Sequence, residues 1–261
     1  MTCSERLRQL ATPRRRPLRN IRVIAARELK SYFATPVAYV FIIIFLAFSG
    51  ALAFYVGGFF DSGQANLRSF FFYHTWLYLL LIPAISMRLW AEERKTGTIE
   101  LLMTLPVSTT EAVMGKYLAA WAFAGISLGL TFPMWVTVNV LGDPDNGVIL
   151  ASYIGSLVMA GAFLAIGSCI SALTKNQVVA FILAAAACFL FTMSGLELVL
   201  NFFRLWAPDV LVDTMGSMSF LTHFKAITKG VIDLRDVVFF ASLIGVFMFG
   251  NIVAVDRKKG A

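Results

Sequence analysis

Charged residues are scarce in this chain of 261 residues, of which 14% are charged and 59% are hydrophobic. Ordinary soluble domains are about 25% charged and about 45–50% apolar. The composition therefore excludes an ordinary soluble domain and indicates a membrane protein. The three cysteines form no CxxC pair and no Cys/His cluster, so neither a disulfide framework nor a zinc site is indicated.

Catalytic motifs are lacking as well. Gly115–Lys116 resembles the end of a phosphate-cradling loop, but Thr110 stands where that motif needs glycine and Tyr117 where it needs Ser or Thr. No HExxH motif and no paired carboxylates stand out. We therefore expect that this chain is not an enzyme and itself holds no metal and no cofactor.

Six apolar stretches are long enough to cross a membrane, since a spanning helix needs roughly 20 mostly apolar residues. They are Val37–Phe60, Phe70–Leu89, Tyr117–Leu141, Val148–Leu173, Val178–Leu200 and Val237–Val255. The apolar runs are continuous and lack the period-two alternation of barrel strands. The sequence therefore predicts an all-α integral membrane protein with six transmembrane helices.

The distribution of Lys and Arg predicts the orientation of these spans. Nine of the 22 basic residues precede Ser31, before the first apolar run. With the N-terminus inside the cell, 17 of the 22 fall on the inner side and five on the outer side. Because basic residues accumulate in cytoplasmic segments, we expect both termini to be cytoplasmic. The basic flank of a membrane segment explains the positive charge better than a nucleic-acid partner does.

The segment before the first span divides into a basic tail, residues 1–18, and a predicted amphipathic helix, residues 19–35. The helix sets Ile21, Ile24, Leu29, Tyr32 and Phe33 at roughly helical spacing among polar residues that include Arg22, Arg27 and Glu28. Such a helix can lie along the inner leaflet, with its cations against lipid phosphates. A solvated basic tail is the alternative. Pro36 then opens the six-helix domain, residues 36–261.

The outer segment between the fifth and sixth spans covers about 36 residues, 201–236. It is too apolar for a free loop, yet neither half is long enough to span, so we expect it to be interfacial or re-entrant. Glu197 is the one carboxylate within the predicted spans and is a possible pathway residue, because burying a charge in lipid is costly. Snorkelling, or a pair with Arg204, explains it equally well. His74 is expected in an aromatic interface belt, and His223 is expected to be structural.

A dense polar run, EERKTGTIELLMTLPVS, separates the second and third spans and faces the cytoplasm in this topology. Gly97 permits a sharp redirection of the backbone. A short helix then places Ile99, Leu102 and Met103 on one face and ends at Pro106. Two interpretations remain open at this point. The run is either an amphipathic hairpin resting on the membrane or a small helix that offers its apolar face to a soluble partner.

Residues Ser108–Glu111, STTE, match a capping box that begins the next helix. The longer stretch EERKTGTIELLMTLPVSTTEAVMGKYL resembles the signature segment of ABC-2 type transporter permeases. In that family an acidic-basic run precedes GTIELL, a proline follows, and GK opens the third helix. The resemblance extends roughly over Ile21–Arg257, and the chain is similar to the gliding-motility-associated and copper-processing branch of that family.

The resemblance implies a permease subunit of an ATP-binding-cassette exporter in the bacterial cytoplasmic (inner) membrane. A separate ATPase subunit would hold ATP and Mg²⁺, and a second permease copy or a companion membrane subunit with a large outer domain would complete the complex. A membrane scaffold that anchors an ATPase and partner proteins without transporting a solute is the alternative.

The resemblance also implies roles for individual residues. Thr98–Leu105 would be the coupling helix, and the interfacial helix would make a second contact with the ATPase through Arg22, Arg27 and Glu28. The outer segment would form paired half-helices that close the extracellular end of the pathway. The residues expected to dock the ATPase or to flank the docking helix are Glu92, Glu93, Arg94, Lys95, Gly97, Thr98, Ile99, Glu100, Leu102, Met103 and Pro106.

Overall fold

The structure, a computed structural model, describes residues 17–61, 63–98, 107–205, 207–231 and 233–257. None of these residues lies in a strand. The helices are α1 (Pro17–Phe33), α2 (Pro36–Ala51), α3 (Arg68–Ser86), α4 (Arg88–Thr96), α5 (Thr109–Gly129), α6 (Phe132–Leu141), α7 (Asn146–Leu173), α8 (Gln177–Met193), α9 (Glu197–Arg204), α10 (Asp209–Ser217), α11 (Phe220–Ile227) and α12 (Leu234–Arg257).

Five helical units are long and apolar enough to cross a membrane. They are α2 with its π-helical continuation Leu52–Val56, α3 with α4, α5 with α6, α7, and α12. Helices α8 and α9 together form a sixth unit that is bent by 72°. The all-α prediction is confirmed across the described ranges, and five of the six predicted spans correspond to these units.

The fifth predicted span, Val178–Leu200, is wrong as a continuous helix. Helix α8 ends at Met193, and α9 leaves it at 72°. The turn packs against the start of α11, where a Cβ added to Gly195 would lie only 2.3 Å from the Ser219 hydroxyl. An apolar run predicts burial along its whole length, but it does not reveal that another segment occupies the space in which a straight helix would continue.

Helix α7 is the centre of the bundle. In its most apolar 18-residue window 72% of residues are buried, compared with 28% for α2, for α5 with α6, and for α12. Its buried residues include many of small size, such as Gly155, Ala160, Gly161, Ala162 and Gly167. Small residues let neighbouring helices approach closely. Helix α7 contacts most of the other helices, so a movement of α7 would displace them as well.

Two of the spanning units contain breaks. The α3–α4 break falls at Met87, whose N–H donates to the carbonyl of Pro83 (2.9 Å). The α5–α6 break falls just before Pro133, which occupies the first turn of α6. The position of this break agrees with the chemistry of proline, which cannot donate a helical hydrogen bond and begins a helix more readily than it continues one.

Helix α1 forms where the sequence predicts a helix and packs along α5. Its half-buried side includes Ile21, Ile24 and Leu29, whereas Arg22 and Arg27 are exposed. A Cβ added to Gly115 of α5 would lie 2.6 Å from Cγ2 of Ile24, so the two helices are in close contact there. The position of α1 along a lipid surface stays a prediction.

Candidate functional site

Much of the predicted coupling helix lies outside the described residues, and this applies to Ile99, Glu100, Leu102, Met103 and Pro106. The segments that flank it are described. Helix α4 leads to it and is followed by Gly97, whose φ of 72° is left-handed. Glycine adopts this conformation without steric cost, so the turn predicted at Gly97 is confirmed. Lys95, Gly97 and Thr98 are exposed.

The start of α4 is hydrogen-bonded to the C-terminal end of α7. The hydroxyl of Ser171 donates to the carbonyl of Met87 (2.9 Å). It also accepts from the backbone N–H groups of Trp90 (3.2 Å) and Ala91 (3.1 Å). A serine hydroxyl offers one donor and two acceptor positions, so all of them are used here. Ser171, Trp90 and Ala91 are completely buried.

The far end of α4 contacts the same turn of α7. The guanidinium of Arg94 donates to the carbonyl of Ala172 at 2.6 Å. Carbonyls in the last turn of a helix lack intrahelical partners, and a cation there also interacts favourably with the helix dipole. Arg94, expected to flank a partner surface, therefore also has a structural contact within the chain.

Lys116 of α5 is a buried cation between two carboxylates of other helices. Its Nζ atom lies 2.5 Å from Oε1 of Glu93 on α4 and 3.5 Å from Oε2 of Glu28 on α1. The ammonium group also lies over the ring of Trp90, 5.4 Å from its centroid, at a distance that allows a cation–π interaction. Helices α1, α4 and α5 therefore meet at one ion-pair cluster.

A cavity of about 310 Å³ adjoins this cluster between α1, α4 and α5. Arg88 and Glu92 line it and form an i,i+4 ion pair, with 2.9 Å between Nε and Oε2. Tyr32 lines it from α1, and burial together with the nearby Glu28 raises the pKa of this phenol. Glu92 and Glu93 differ in exposure and in the residue with which each one pairs. The side chain of Glu92 is 42% exposed, whereas that of Glu93 is 20% exposed and paired with Lys116.

The start of α5 is held from several sides. Ser108 and Glu111 form the predicted capping box, in which each side chain accepts from the other residue's backbone N–H. Asn20 of α1 donates to the Glu111 carboxylate at 3.4 Å. The hydroxyl of Thr109 donates to the Asp256 carboxylate at the end of α12. The chain therefore enters and leaves residues 99–106 through two helices that are each tied to the bundle.

The residues predicted on α1 divide between its two faces. Arg22 and Arg27 are exposed, and Arg27 pairs with Glu28 across 3.4 Å. Glu28 also reaches Lys116, so it connects the exposed basic face to the buried cluster. A contact between α1 and an ATPase stays a prediction.

Glu197 is not placed within a straight span. It begins α9 after the bend and is exposed, and Arg204 is directed to Asn201, with 3.4 Å between the guanidinium and the amide oxygen. The continuous apolar run Val178–Leu200 suggested that Glu197 lies within the membrane, because the run contains no signal for the bend. A role for Glu197 in a pathway stays a prediction.

The expected position of His74 in an interface belt is wrong. His74 is completely buried between α3 and α7, and its Nδ1 atom lies 3.2 Å from the Ser156 hydroxyl. Tyr78 also contacts that hydroxyl, at 2.9 Å. The aromatic residues around His74 in the sequence suggested a belt, but Phe45 and Phe71 pack around it in the interior.

A buried pair in the outer segment has no signal in the sequence. The Nδ1 atom of His223 on α11 lies 2.6 Å from Oδ1 of Asp236 on α12, and its Nε2 atom donates to the carbonyl of Ser217 (2.8 Å). Because a carbonyl only accepts, the Nε2 atom carries a proton. The pair ties α11 to α12. The expected structural role of His223 agrees with this geometry.

One stretch has the spacing of a catalytic motif but forms an ordinary helix. Gly125–Gly129 reads GISLG, the spacing of a nucleophile elbow, which requires a strained strand-to-helix turn. Here the stretch is the end of α5, and the Ser127 hydroxyl donates to the carbonyl of Phe123 in its own helix (3.0 Å). Within the ranges described, no three His, Cys, Asp or Glu side chains could jointly hold a metal ion.

Comparison with known proteins identifies the family. A family profile described as "ABC-2 family transporter protein" matches residues 61–211, more than half of the chain. Over 100 residues the chain is 34% identical to YbhS, described as a probable multidrug ABC transporter permease, of Escherichia coli strain K12. The YbhS protein of Escherichia coli O157:H7 matches to the same extent. These matches cover 38% of this chain and 26% of the relatives' length. The chain belongs to the ABC-2 family of transporter proteins.

Proposed function

We propose that this chain is the membrane-spanning subunit of an ATP-binding-cassette exporter, driven by a separate ATPase subunit that binds ATP and Mg²⁺. The ATPase would dock on residues 98–105, flanked by Glu92, Glu93, Arg94 and Lys95. Closure of the ATPase pair would displace this segment, and the spans would tilt to release the substrate outward. The interfacial helix, residues 19–35, would make the second contact.

The observation that supports this proposal most directly is the anchoring of both flanks of residues 99–106. Upstream, α4 is hydrogen-bonded to α7 through Ser171 and Arg94. Downstream, α5 begins with a capping box and contacts α1 and α12. A loop that only covered the membrane would not need such attachments, whereas a docking segment must pass force to the helices on either side.

The other components follow from this function. The complex would lie in the bacterial inner membrane with both termini of this chain in the cytoplasm. A second copy, or a companion membrane subunit with a large outer domain as in the gliding-motility and copper-processing branch, would complete the pathway. Helices α9 to α11 would close its outer end. The short helices and the 72° bend after α8 are compatible with this position.

The docking proposal predicts that two aspartates on the apolar stripe abolish ATPase binding. The variant Leu102→Asp/Met103→Asp is co-expressed with the ABC ATPase that co-purifies with the wild-type chain, and recovery of the ATPase is measured. Aspartate puts charge where an apolar contact must lose water, which is costly without a partner. We expect a loss of recovery with unchanged membrane insertion.

A matched control places the same change on the other side of the membrane. Val210→Asp/Leu211→Asp alters two adjacent, exposed apolar residues of α10. We expect this control to retain the ATPase. Undiminished recovery with the Leu102→Asp/Met103→Asp variant would contradict docking at this segment and favour a different site of contact.

A further inference from the structure

Helix α4 lacks a cap from its own chain segment. The residue at its N-cap position is Met87, which makes no side-chain capping hydrogen bond. The first backbone N–H groups of any helix have no intrahelical partner and need an acceptor. For Trp90 that acceptor is the hydroxyl of Ser171, which is 81 residues away and belongs to α7, and the N–H of Ala91 also lies within hydrogen-bond distance of the same hydroxyl.

This arrangement makes the start of one helix depend on the end of another. The Ser171 hydroxyl also donates to the Met87 carbonyl, so it contacts both sides of the α3–α4 break. Seven residues into α4, Arg94 donates to the carbonyl of Ala172, next to Ser171 in the chain. Two attachments at opposite ends of a nine-residue helix fix its direction as well as its position.

We infer that Ser171 is a positioning residue that makes α4 and the cytoplasmic end of α7 move as one body when the ATPase displaces the docking segment. Met87 has helical φ and ψ angles of −57° and −29°, so a side chain at position 87 is not placed to cap α4 from within its own segment. The remote cap instead directs the displacement to the most buried helix of the bundle. This inference rests on the proposed function, and its first test does not need the ATPase.

The first experiment measures amide hydrogen exchange of the chain alone in lipid nanodiscs. In Ser171→Ala the N–H group of Trp90 loses its acceptor, and we expect peptides covering 87–94 to exchange about tenfold faster. Ser171→Thr keeps the hydroxyl and should restore exchange to within about twofold of wild type. The control is Ser127→Ala, because Ser127 is also buried but bonds only within its own helix. Unchanged exchange in Ser171→Ala would overturn the capping role.

The second experiment tests transmission with the ATPase bound. The complex is trapped with ADP and vanadate, and the change in exchange on trapping is measured in peptides from α4 and from the last two turns of α7. In wild type and in Ser127→Ala we expect both regions to change. In Ser171→Ala we expect the ATPase to remain bound and the exchange of α4 peptides still to change on trapping. The change in exchange of the α7 peptides should fall to less than about a third of its wild-type value, because one of the two attachments is lost.

The outcomes separate the two proposals. Two results would contradict docking at residues 98–105 and the inference with it. Either the wild-type chain does not bind the ATPase, or trapping leaves the exchange of α4 peptides unchanged in wild type. Normal docking combined with an equal change in α7 in wild type and Ser171→Ala would overturn the inference alone. Recovery of the α7 change in Ser171→Thr would support it, since a role in packing alone does not require the hydroxyl.

Discussion

The Nζ atom of Lys116 lies 2.5 Å from Oε1 of Glu93, and together these residues join α5 to α4. Lys116 is 3% exposed, and Glu28 lies on its other side at 3.5 Å. A buried cation is tolerated when opposite charges surround it, and it becomes costly when they are removed. The two helices that flank the docking segment therefore share an electrostatic contact as well as a covalent connection.

Removal of this cation should destabilise the protein. In Lys116→Met the carboxylates of Glu93 and Glu28 remain partly buried without their cation, which we expect to cost about 2 kcal/mol. For a chain of this size such a loss lowers the melting temperature by roughly 5 °C. The measurement is thermal unfolding of the purified chain in detergent, followed by circular dichroism.

The control for Lys116 is Lys95→Met, because Lys95 is an exposed lysine on α4. Its loss should change the melting temperature by less than about 1 °C, as expected for an exposed charge. The double variant Lys116→Met/Glu93→Gln should recover part of the loss, since it removes both charges of the close pair. Equal melting temperatures for Lys116→Met and Lys95→Met would show that the cluster contributes nothing to stability.

Gly115 should tolerate no side chain, because α1 lies directly against it. A Cβ at this position would lie 2.6 Å from Cγ2 and 2.8 Å from Cβ of Ile24. Alanine favours helix over glycine by about 1 kcal/mol, but overpacking costs typically about 1–3 kcal/mol. We therefore expect Gly115→Ala to loosen α1 and to speed tryptic cleavage after Arg22 and Arg27.

Gly129 provides the matched control in the same helix. Nothing lies within 4 Å of a Cβ added there, so Gly129→Ala should be neutral or slightly stabilising. Replacing Ile24 by Ala in the Gly115→Ala background should slow cleavage again, because it removes the nearest methyl group. Identical cleavage rates for Gly115→Ala and Gly129→Ala would contradict close packing between α1 and α5.

The local features of this fold could be predicted from the sequence, because short-range chemistry determines them. The capping box at Ser108 and Glu111 and the left-handed turn at Gly97 each depend on residues within one turn, and the structure confirms both. Apolar length predicts long helices, and five of the six predicted spans correspond to long apolar helices in the described ranges.

The contacts that give the candidate site its rigidity could not be predicted in this way. Ser171 lies 80 residues from Ala91, and nothing in its own surroundings distinguishes it from other serines in apolar runs. The 72° bend after α8 depends on packing against Ser219, which apolar length does not encode. A sequence pattern indicates whether one segment is buried. The Ser171 hydrogen bonds and the bend after α8 depend instead on which segments pack against each other.

The pair of His223 and Asp236 should hold the outer segment against α12. Asp236→Leu leaves the Nδ1 atom of the buried imidazole without a partner, which costs about 1–3 kcal/mol. Helix α11 should then detach more often, and trypsin should cleave after the exposed Lys225 and Lys229 about tenfold faster. The measurement is a time course of limited proteolysis in nanodiscs.

Asparagine at position 236 tests the role of charge in this pair. Its amide can donate to the Nδ1 atom of a neutral imidazole whose Nε2–H still bonds to Ser217, so Asp236→Asn should stay within about threefold of wild type. Asp213→Leu is the surface control, because Asp213 is exposed on α10. Cleavage as fast in Asp236→Asn as in Asp236→Leu would mean that loss of the charge, which both variants share, releases the segment.

The predicted topology places Lys95 and Lys225 on opposite sides of the membrane, and both side chains are exposed. Single cysteines at these positions, in a chain whose three native cysteines are replaced, should react with a membrane-impermeant maleimide from opposite sides. We expect Lys95→Cys to be labelled in inside-out vesicles and Lys225→Cys in spheroplasts, because 17 of the 22 basic residues lie on the inner side in this topology. The reverse pattern would place residues 98–105 outside the cell, where no ATPase could reach them. Labelling of both positions from one side would mean that the number of spans between them is even, and α8 with α9 would then be a re-entrant element.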